Sequence, residues 1–240
     1  MLVSHAHRFV FLKTRKTAST SVEMALQTFC IPEDTAEPAE KTTAIVSDVG
    51  IVGARSIPPT TRRGDSVIWF HHMGADAIAD GIGEEAFASY RKVATVRNPF
   101  TRIVSGFHYR RRNRNRPPGP EDWDEQRTAF RDWVLSEKWS NDRYIVHRNG
   151  RFCVDHAVRF ERLQDDLNDL AGTLGLDPAK VALPHTKDNR AARRGRPPAE
   201  YFDRDTVDMV RRRLSWVFER FGYPERPEEA SAAPGAASDP

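Results

Sequence analysis

The stretch FVFLKTRKTASTSVEMAL, residues 9–26, sets an apolar run directly before a loop crowded with lysine and hydroxyl side chains, then turns amphipathic. Residues 8–13 read as a short buried strand. Val22, Ala25, Leu26 and Phe29 recur at helical spacing and predict a helix over 19–29. Thr20 and Glu23 fit a capping box at its start. The order returns in KVATVRNPFTRIVSGF, 92–107, where Val93–Val96 suit a central strand. Pro99 can open the next helix at a position where its missing N–H costs nothing, and Ile103, Val104 and Phe107 give that helix an apolar face. Two such units restrict the chain to architectures in which strands alternate with helices.

The remaining pattern agrees. Strands are expected weakly over 44–52, and clearly over 66–71 (SVIWFH) and 152–160; helices are expected near 74–80, over 123–138, over 161–175 with Gly175 as the stop, and over 203–221. Residues 31–64, rich in Pro, Thr and charge, form a long excursion, and RRRNRNRPPGP at 110–120 reads as a loop. The expected fold is α/β, a three-layer P-loop-like fold with a mainly parallel central sheet flanked by helices. One domain over 1–224 and a disordered tail over 225–240 account for the chain, since the tail has nothing to bury. At 240 residues and 39% hydrophobic, a single sizeable core is available.

Lysine and arginine exceed the acids by only three, but arginines gather at 110–116 and 190–196, which suits an anionic ligand. Cys30 and Cys153 offer neither a zinc spacing nor a disulfide framework, and a reducing cytoplasm fits them. No signal peptide and no apolar run near eighteen residues is present, so membrane insertion is not expected.

In sheets of this kind ligands sit beyond the carboxyl ends of the strands. Residues 13–21 and 97–105 both place polar groups there, ahead of a helix, where backbone N–H groups with a lysine and hydroxyls can hold phosphate. A capped helix with a solvated loop is the plainer reading of the first; an acid partner for Arg97 and a solvent-facing Ser105 are the plainer readings of the second. A nucleotide triphosphatase loop needs G-x-x-x-x-G-K-[ST], and residues 10–17 contain no glycine. Asp48 and Asp155 end apolar runs as a magnesium-holding aspartate would, a weak sign. A P-loop-type kinase or NTPase therefore stands as one rival, and a non-catalytic nucleic-acid binder as another. Few aromatics interleave with the basic runs, which counts against the second.

KTASTS after a first strand, with VRNPFTRIVSGF some eighty residues later, resembles the sulfotransferases that use 3′-phosphoadenosine 5′-phosphosulfate (PAPS). The likeness is to carbohydrate sulfotransferases such as heparan sulfate 2-O-sulfotransferase and to soluble bacterial relatives. AVRFERLQDDL (157–167), LPHTKDN (183–189) and FERFGY (218–223) resemble later segments of the same family, so the likeness covers most of the chain. It implies a PAPS-dependent enzyme, EC 2.8.2, moving a sulfuryl group to a hydroxyl, most naturally of a carbohydrate, without a metal. It implies that Lys16, Thr17, Ala18, Ser19, Thr20 and Ser21 hold the 5′-phosphosulfate, and that Arg97 and Ser105 hold the 3′-phosphate. Arg193, Arg194, Gly195 and Arg196 would close over the nucleotide. His72, three residues before Ala75 and six before Ile78, matches the family's histidine base; His71 beside it keeps the choice between the two open, as either could instead cap the next helix or pack on Trp69. Lys16 would stabilise the leaving oxygen. His71, Arg110, Arg111 and Glu161 are candidates for the acceptor, although the arginine run also reads as a solvated loop. Where the family usually has proline before the loop lysine, this chain has Arg15, and an aspartate often seen in the closing helix is replaced near Val217. The expected partner is a glycan or glycoconjugate acceptor rather than nucleic acid. The expected setting is a bacterial cytoplasm, and the oligomeric state cannot be read.

Overall fold

The computed structural model describes residues 1–55, 68–112, 122–183 and 196–230. The chain divides into two compact units: Met1–Val96 with Asp142–Thr186, and Arg97–Asn141 with Lys187–Pro240.

The first unit is α/β. Its strands are β1 (Leu2–Ser4), β2 (Phe9–Leu12), β3 (Ile45–Val46), β4 (Gly50–Val52), β5 (Arg91–Val96) and β8 (His156–Arg159), hydrogen-bonded in the order β3-β4-β1-β2-β5-β8. A separate two-stranded ribbon, β6 (His147–Arg148) with β7 (Arg151–Phe152), lies between β5 and β8 in sequence. The helices are α1 (Ser19–Leu26), α2 (Ala75–Ile82), α3 (Glu84–Ser89), α6 (Arg143–Val146) and α7 (Leu163–Leu174). Phe9–Leu12 is buried at every position, as a strand between two neighbours and under covering elements requires.

The sheet is mixed, which corrects the mainly parallel one expected from the sequence. β2 pairs with β5 and β5 with β8 in parallel, whereas β1–β2, β1–β4 and β3–β4 are antiparallel. The cause lies in the connections. Only residues 5–8 join β1 to β2, and a link that short can only reverse the chain, while a parallel neighbour needs a crossover of a dozen residues or more. Arg8 takes a left-handed φ of 52° in that reversal.

One face of the sheet carries α1 and α7. Phe9, Phe11, Val93 and Val158 pack with Val22 and Leu26 of α1 and with Leu167 and Leu170 of α7 in a single buried cluster. Gly175 ends α7 at φ 62°, a left-handed conformation suited to glycine. Arg159, at the end of the edge strand β8, donates through Nε and Nη2 to both oxygens of Asp166 at 2.7 and 2.9 Å, which pins α7 to the strand before it.

The second unit is helical: α4 (Pro99–Arg112), α5 (Trp123–Leu135), α8 (Arg204–Arg213) and α9 (Ser215–Phe221). Its centre is aromatic. Phe130 meets Phe107, Phe202 and Tyr201 with ring centroids 5.0–5.3 Å apart, mostly edge to face. Asp203 and Thr206 form a reciprocal capping box at the start of α8. No helix among the described residues is long and apolar enough to cross a membrane.

Several expected boundaries move. The 66–71 strand is reduced, in its described part, to an isolated bridge between Ala54 and Phe70. The weak strand over 44–52 is the β3–β4 hairpin, and the 152–160 strand is split between β7 and β8. The single helix over 203–221 is two, parted at buried Leu214, where φ −114° and ψ 22° leave the helical region. Of the loop expected at 110–120, Arg110, Arg111 and Arg112 instead form the last turn of α4, where cations favour the helix C-terminus, and residues 113–120 lie outside the described residues. Of the expected tail, Pro227–Glu229 form a 3-10 turn with Pro227 and Ala230 buried; residues 231–240 lie outside the described residues.

Candidate active site

The carboxyl ends of β2 and β5 lie side by side, since Leu12 is opposite Ala94 in the parallel register. Residues 13–18 leave β2 there and enter α1. Lys16 and Ala18 both take left-handed conformations, φ 64° and 61°, although neither is glycine. For residues with a Cβ this costs roughly 1–2 kcal/mol each, so the surrounding contacts must hold the loop in shape.

Those contacts are a buried set of hydroxyls. Thr14 Oγ1 donates to the Thr95 carbonyl at 2.6 Å, which commits its only proton. It can therefore only accept from the hydroxyls of Thr17 at 2.8 Å and Thr95 at 3.1 Å, and as Thr17 and Thr95 are themselves 2.7 Å apart, their two protons serve two of these three contacts. Ser19 Oγ donates to the Thr14 carbonyl at 2.5 Å across the loop. All four residues are buried. The side chains of Thr17 and Ser19 thus serve the loop's own shape, and Ser21 is buried as well, while Lys16, Ala18 and Thr20 are half-buried. Backbone N–H groups at the start of a helix have no carbonyl one turn back within the helix, so this end of α1 favours an anion.

The expected capping box of Thr20 and Glu23 does not form. α1 begins at Ser19 after Ala18, with no side-chain cap. Glu23 instead turns inward, fully buried, and its carboxylate accepts from the Met1 ammonium at 2.6 Å, Lys13 Nζ at 2.6 Å and Arg55 Nη1 at 3.2 Å. A carboxylate facing three buried cations has a stronger demand on it than a backbone cap. Despite burial, these cations hold its pKa down at about 2, while burial lowers the Met1 ammonium to about 6 and also lowers Lys13.

His72 lies against the same loop. Its Nδ1 is 2.8 Å from the Lys13 carbonyl, which can only accept, so Nδ1 carries the proton and Nε2 has the open lone pair. Burial first, then neighbouring cations, lower the ring's pKa to about 3; His71, packed edge-on at 4.4 Å between centroids, is lowered to about 4 for the same reasons. Both rings are neutral at physiological pH. The Lys13 carbonyl contact belongs to His72, and His71 is joined to the Ala54 carbonyl only through its backbone N–H at 3.0 Å.

Arg15, which the sequence marks as a departure from the family, is anchored. Its backbone N–H and Nη1 donate to the two oxygens of buried Asp142 at 2.6 and 2.8 Å, and its Nη2 donates to the Tyr144 hydroxyl at 2.7 Å. Neither Asp142 nor Tyr144 was legible as a site residue, because both lie more than 120 residues downstream.

In the second unit Arg97 directly follows β5 in sequence. It is buried, with Nε donating to Thr101 Oγ1 at 2.9 Å. Asn98 Oδ1 accepts from the Phe100 N–H at 3.0 Å and caps α4, with Pro99 as the first helical residue. Thr101 and Ser105, one turn apart, share the face of α4 that starts below Arg97. Ser105 is half-buried. Arg111 lies over the Phe107 ring at 5.3 Å. Arg196 stacks on Trp123 at 4.2 Å and pairs with Glu200 at 2.8 Å, whereas Arg193, Arg194 and Gly195 lie outside the described residues, as do Arg114 and Arg116. Glu161 follows β8 in a 3-10 turn, half-buried. Asp155 pairs with Lys92 at 2.9 Å at the amino ends of β5 and β8, opposite to where the loop lies, and Asp48 is exposed in the β3–β4 turn.

A family model described as the sulfotransferase family matches residues 1–224. The chain belongs to the sulfotransferase family. The match spans both units, and it covers the loop after β2, the His71–His72 pair and the Arg97–Ser105 segment together. Searches of curated proteins and of solved structures give no match. A sulfotransferase moves a sulfuryl group onto an acceptor.

Proposed function

We propose that this sulfotransferase takes its sulfuryl group from PAPS and delivers it in line to a hydroxyl, with His72 as the base, on a P-loop-like arrangement of β2, loop and α1. The observation that carries the reading is the loop itself: a glycine-free turn held in two left-handed conformations at the carboxyl end of a parallel strand, with Lys16 at its bend. Backbone strain kept in place by a buried hydroxyl network is the kind found where a backbone must meet a ligand. The rival triphosphatase reading rests on Asp48 and Asp155, and their positions at the wrong end of the sheet and in an exposed turn do not support it.

In this mechanism the loop N–H groups and Lys16 hold the 5′-phosphosulfate and stabilise charge on the leaving phosphate oxygen as the S–O bond to it breaks. Ala18 and Thr20 take part through their backbone, as do Thr17 and Ser19, while Ser21, whose N–H donates to the Ala18 carbonyl at 2.9 Å, is assigned there through its hydroxyl. The acceptor oxygen bonds to sulfur from the opposite side while His72 Nε2 takes its proton. Arg97 and Ser105 are assigned the 3′-phosphate, for which a guanidinium fork is suited. Arg193, Arg194, Gly195 and Arg196 are assigned to covering the nucleotide. His71, Arg110, Arg111 and Glu161 remain the assigned acceptor side, with a carbohydrate hydroxyl as the preferred acceptor and a soluble cytoplasmic setting.

The test is transfer from labelled PAPS to a panel of glycans and phenols by wild type and by His72→Ala and His71→Ala. His72→Ala is expected to lower kcat about 10²–10⁴-fold, with His71→Ala far milder; the reverse order would move the base to His71. Because burial keeps the His72 ring neutral, kcat/KM is expected to stay level as pH falls from 8 to about 5, with no acid limb near the ordinary histidine value. A limb near 6.5 would contradict the buried neutral ring.

A further inference from the structure

Arg15, Tyr144, His72 and Lys13 close a hydrogen-bonded circuit. Arg15 Nη2 donates to the Tyr144 hydroxyl at 2.7 Å, that hydroxyl donates to the His72 carbonyl at 3.2 Å, and the His72 ring donates to the Lys13 carbonyl at 2.8 Å. Lys13 stands two residues before Arg15, so the circuit begins and ends on the loop after β2. Every proton in it has one direction, because each carbonyl can only accept and the guanidinium can only donate. Resting on the reading of this loop and His72 as the active site, we propose that Arg15, Asp142 and Tyr144 are positioning residues that fix His72 against the loop in the tautomer with a bare Nε2.

Three further observations converge on the same segment. Asp142 is fully buried and left-handed at φ 56°, yet both of its oxygens are spent on Arg15, one on its backbone and one on its side chain. The Arg15 guanidinium also lies over the Tyr144 ring at 5.6 Å. Gly74, two residues after His72, touches the same tyrosine so closely that a Cβ there would stand 2.9 Å from Tyr144 Cδ2 and from the Tyr144 carbonyl. Tyr144 is thus held on one side by the loop and on the other by the start of α2, while about half of its surface stays exposed. Its hydroxyl bridges the loop after β2 and the segment that carries His72. Proline at position 15 has no guanidinium and no N–H, so it could complete none of these three bonds.

Removing the Tyr144 hydroxyl opens the circuit without disturbing the buried Asp142. Tyr144→Phe is expected to lower kcat about ten- to a hundredfold, with the KM for PAPS and the melting temperature close to wild type. In ¹⁵N-histidine-labelled protein, the His72 ring is expected to move from the Nδ1–H tautomer to a mixture. Arg15→Lys, which keeps the backbone bond and a cation, is expected to recover part of the kcat lost in Arg15→Gln. If Tyr144→Phe leaves either kcat or the His72 tautomer as in wild type, the circuit is not a positioning device. Wild-type protein that transfers nothing from PAPS would instead overturn the proposed function, and the tautomer comparison would still decide the circuit.

Discussion

Lys16→Met is expected to lower kcat about 10²–10³-fold, the loss seen when one preorganised donor to a developing anion is removed, while the protein stays folded. The substitution keeps length and removes charge. The Thr14–Thr17–Thr95 hydroxyls and the Arg15–Asp142 bonds lie on either side of Lys16 and hold the loop in shape. The loss is therefore expected in kcat rather than in circular dichroism or melting temperature. Labelled-donor kinetics beside a thermal melt distinguish the two, and a kcat within about threefold of wild type would remove Lys16 from the transition state.

Glu23→Gln is expected to have the largest effect on stability. The amide keeps the shape of the side chain but takes from Lys13 and Arg55 the carboxylate that both pair with, and both are almost wholly screened from water. Breaking one side of a buried ion pair costs about 3–5 kcal/mol, to be read from urea unfolding at pH 7. The carboxylate's contribution also has a pH signature. Its pKa falls from 4.5 to about 2 on folding, so the unfolded chain binds the extra proton between those values. The contribution is present in full above about pH 4.5 and is lost as pH falls through about 2. A loss below about 1 kcal/mol in Glu23→Gln would mean that the cluster is hydrated or rearranged.

The two strand–loop–helix units were legible because periodicity changes abruptly within each: β2 to α1, and β5 to α4 with Pro99 as its first residue. Gly175 likewise marked the end of α7 through its left-handed conformation. The antiparallel half of the sheet was not legible as such, since β1, β3 and β4 are two or three residues long and their direction is set by turns rather than by pattern. Glu23 shows why a local motif misleads. Its spacing from Thr20 fits a cap, but the cations that claim it come from Met1, Lys13 and Arg55, of which only Lys13 is close in sequence.

The candidate site was half legible. Lys16 and the hydroxyl run stood out by residue type and His72 by the spacing that the resemblance supplies, and the absence of glycine read against a triphosphatase loop. That the same glycine-free loop nonetheless bends through two left-handed residues could not be read, because the hydroxyl network holding it depends on Thr95 across the sheet. Arg15 stood out as an unusual residue, while its partners Asp142 and Tyr144 gave no signal of their own.

The claim that the loop after β2 and the Arg97–Ser105 segment both serve one doubly phosphorylated adenosine donor is tested most directly by calorimetry. Adenosine 3′,5′-bisphosphate is expected to bind wild type about ten- to a hundredfold more tightly than adenosine 5′-monophosphate, the difference one charge-assisted phosphate contact supplies. Equal affinity for the two nucleotides would contradict it.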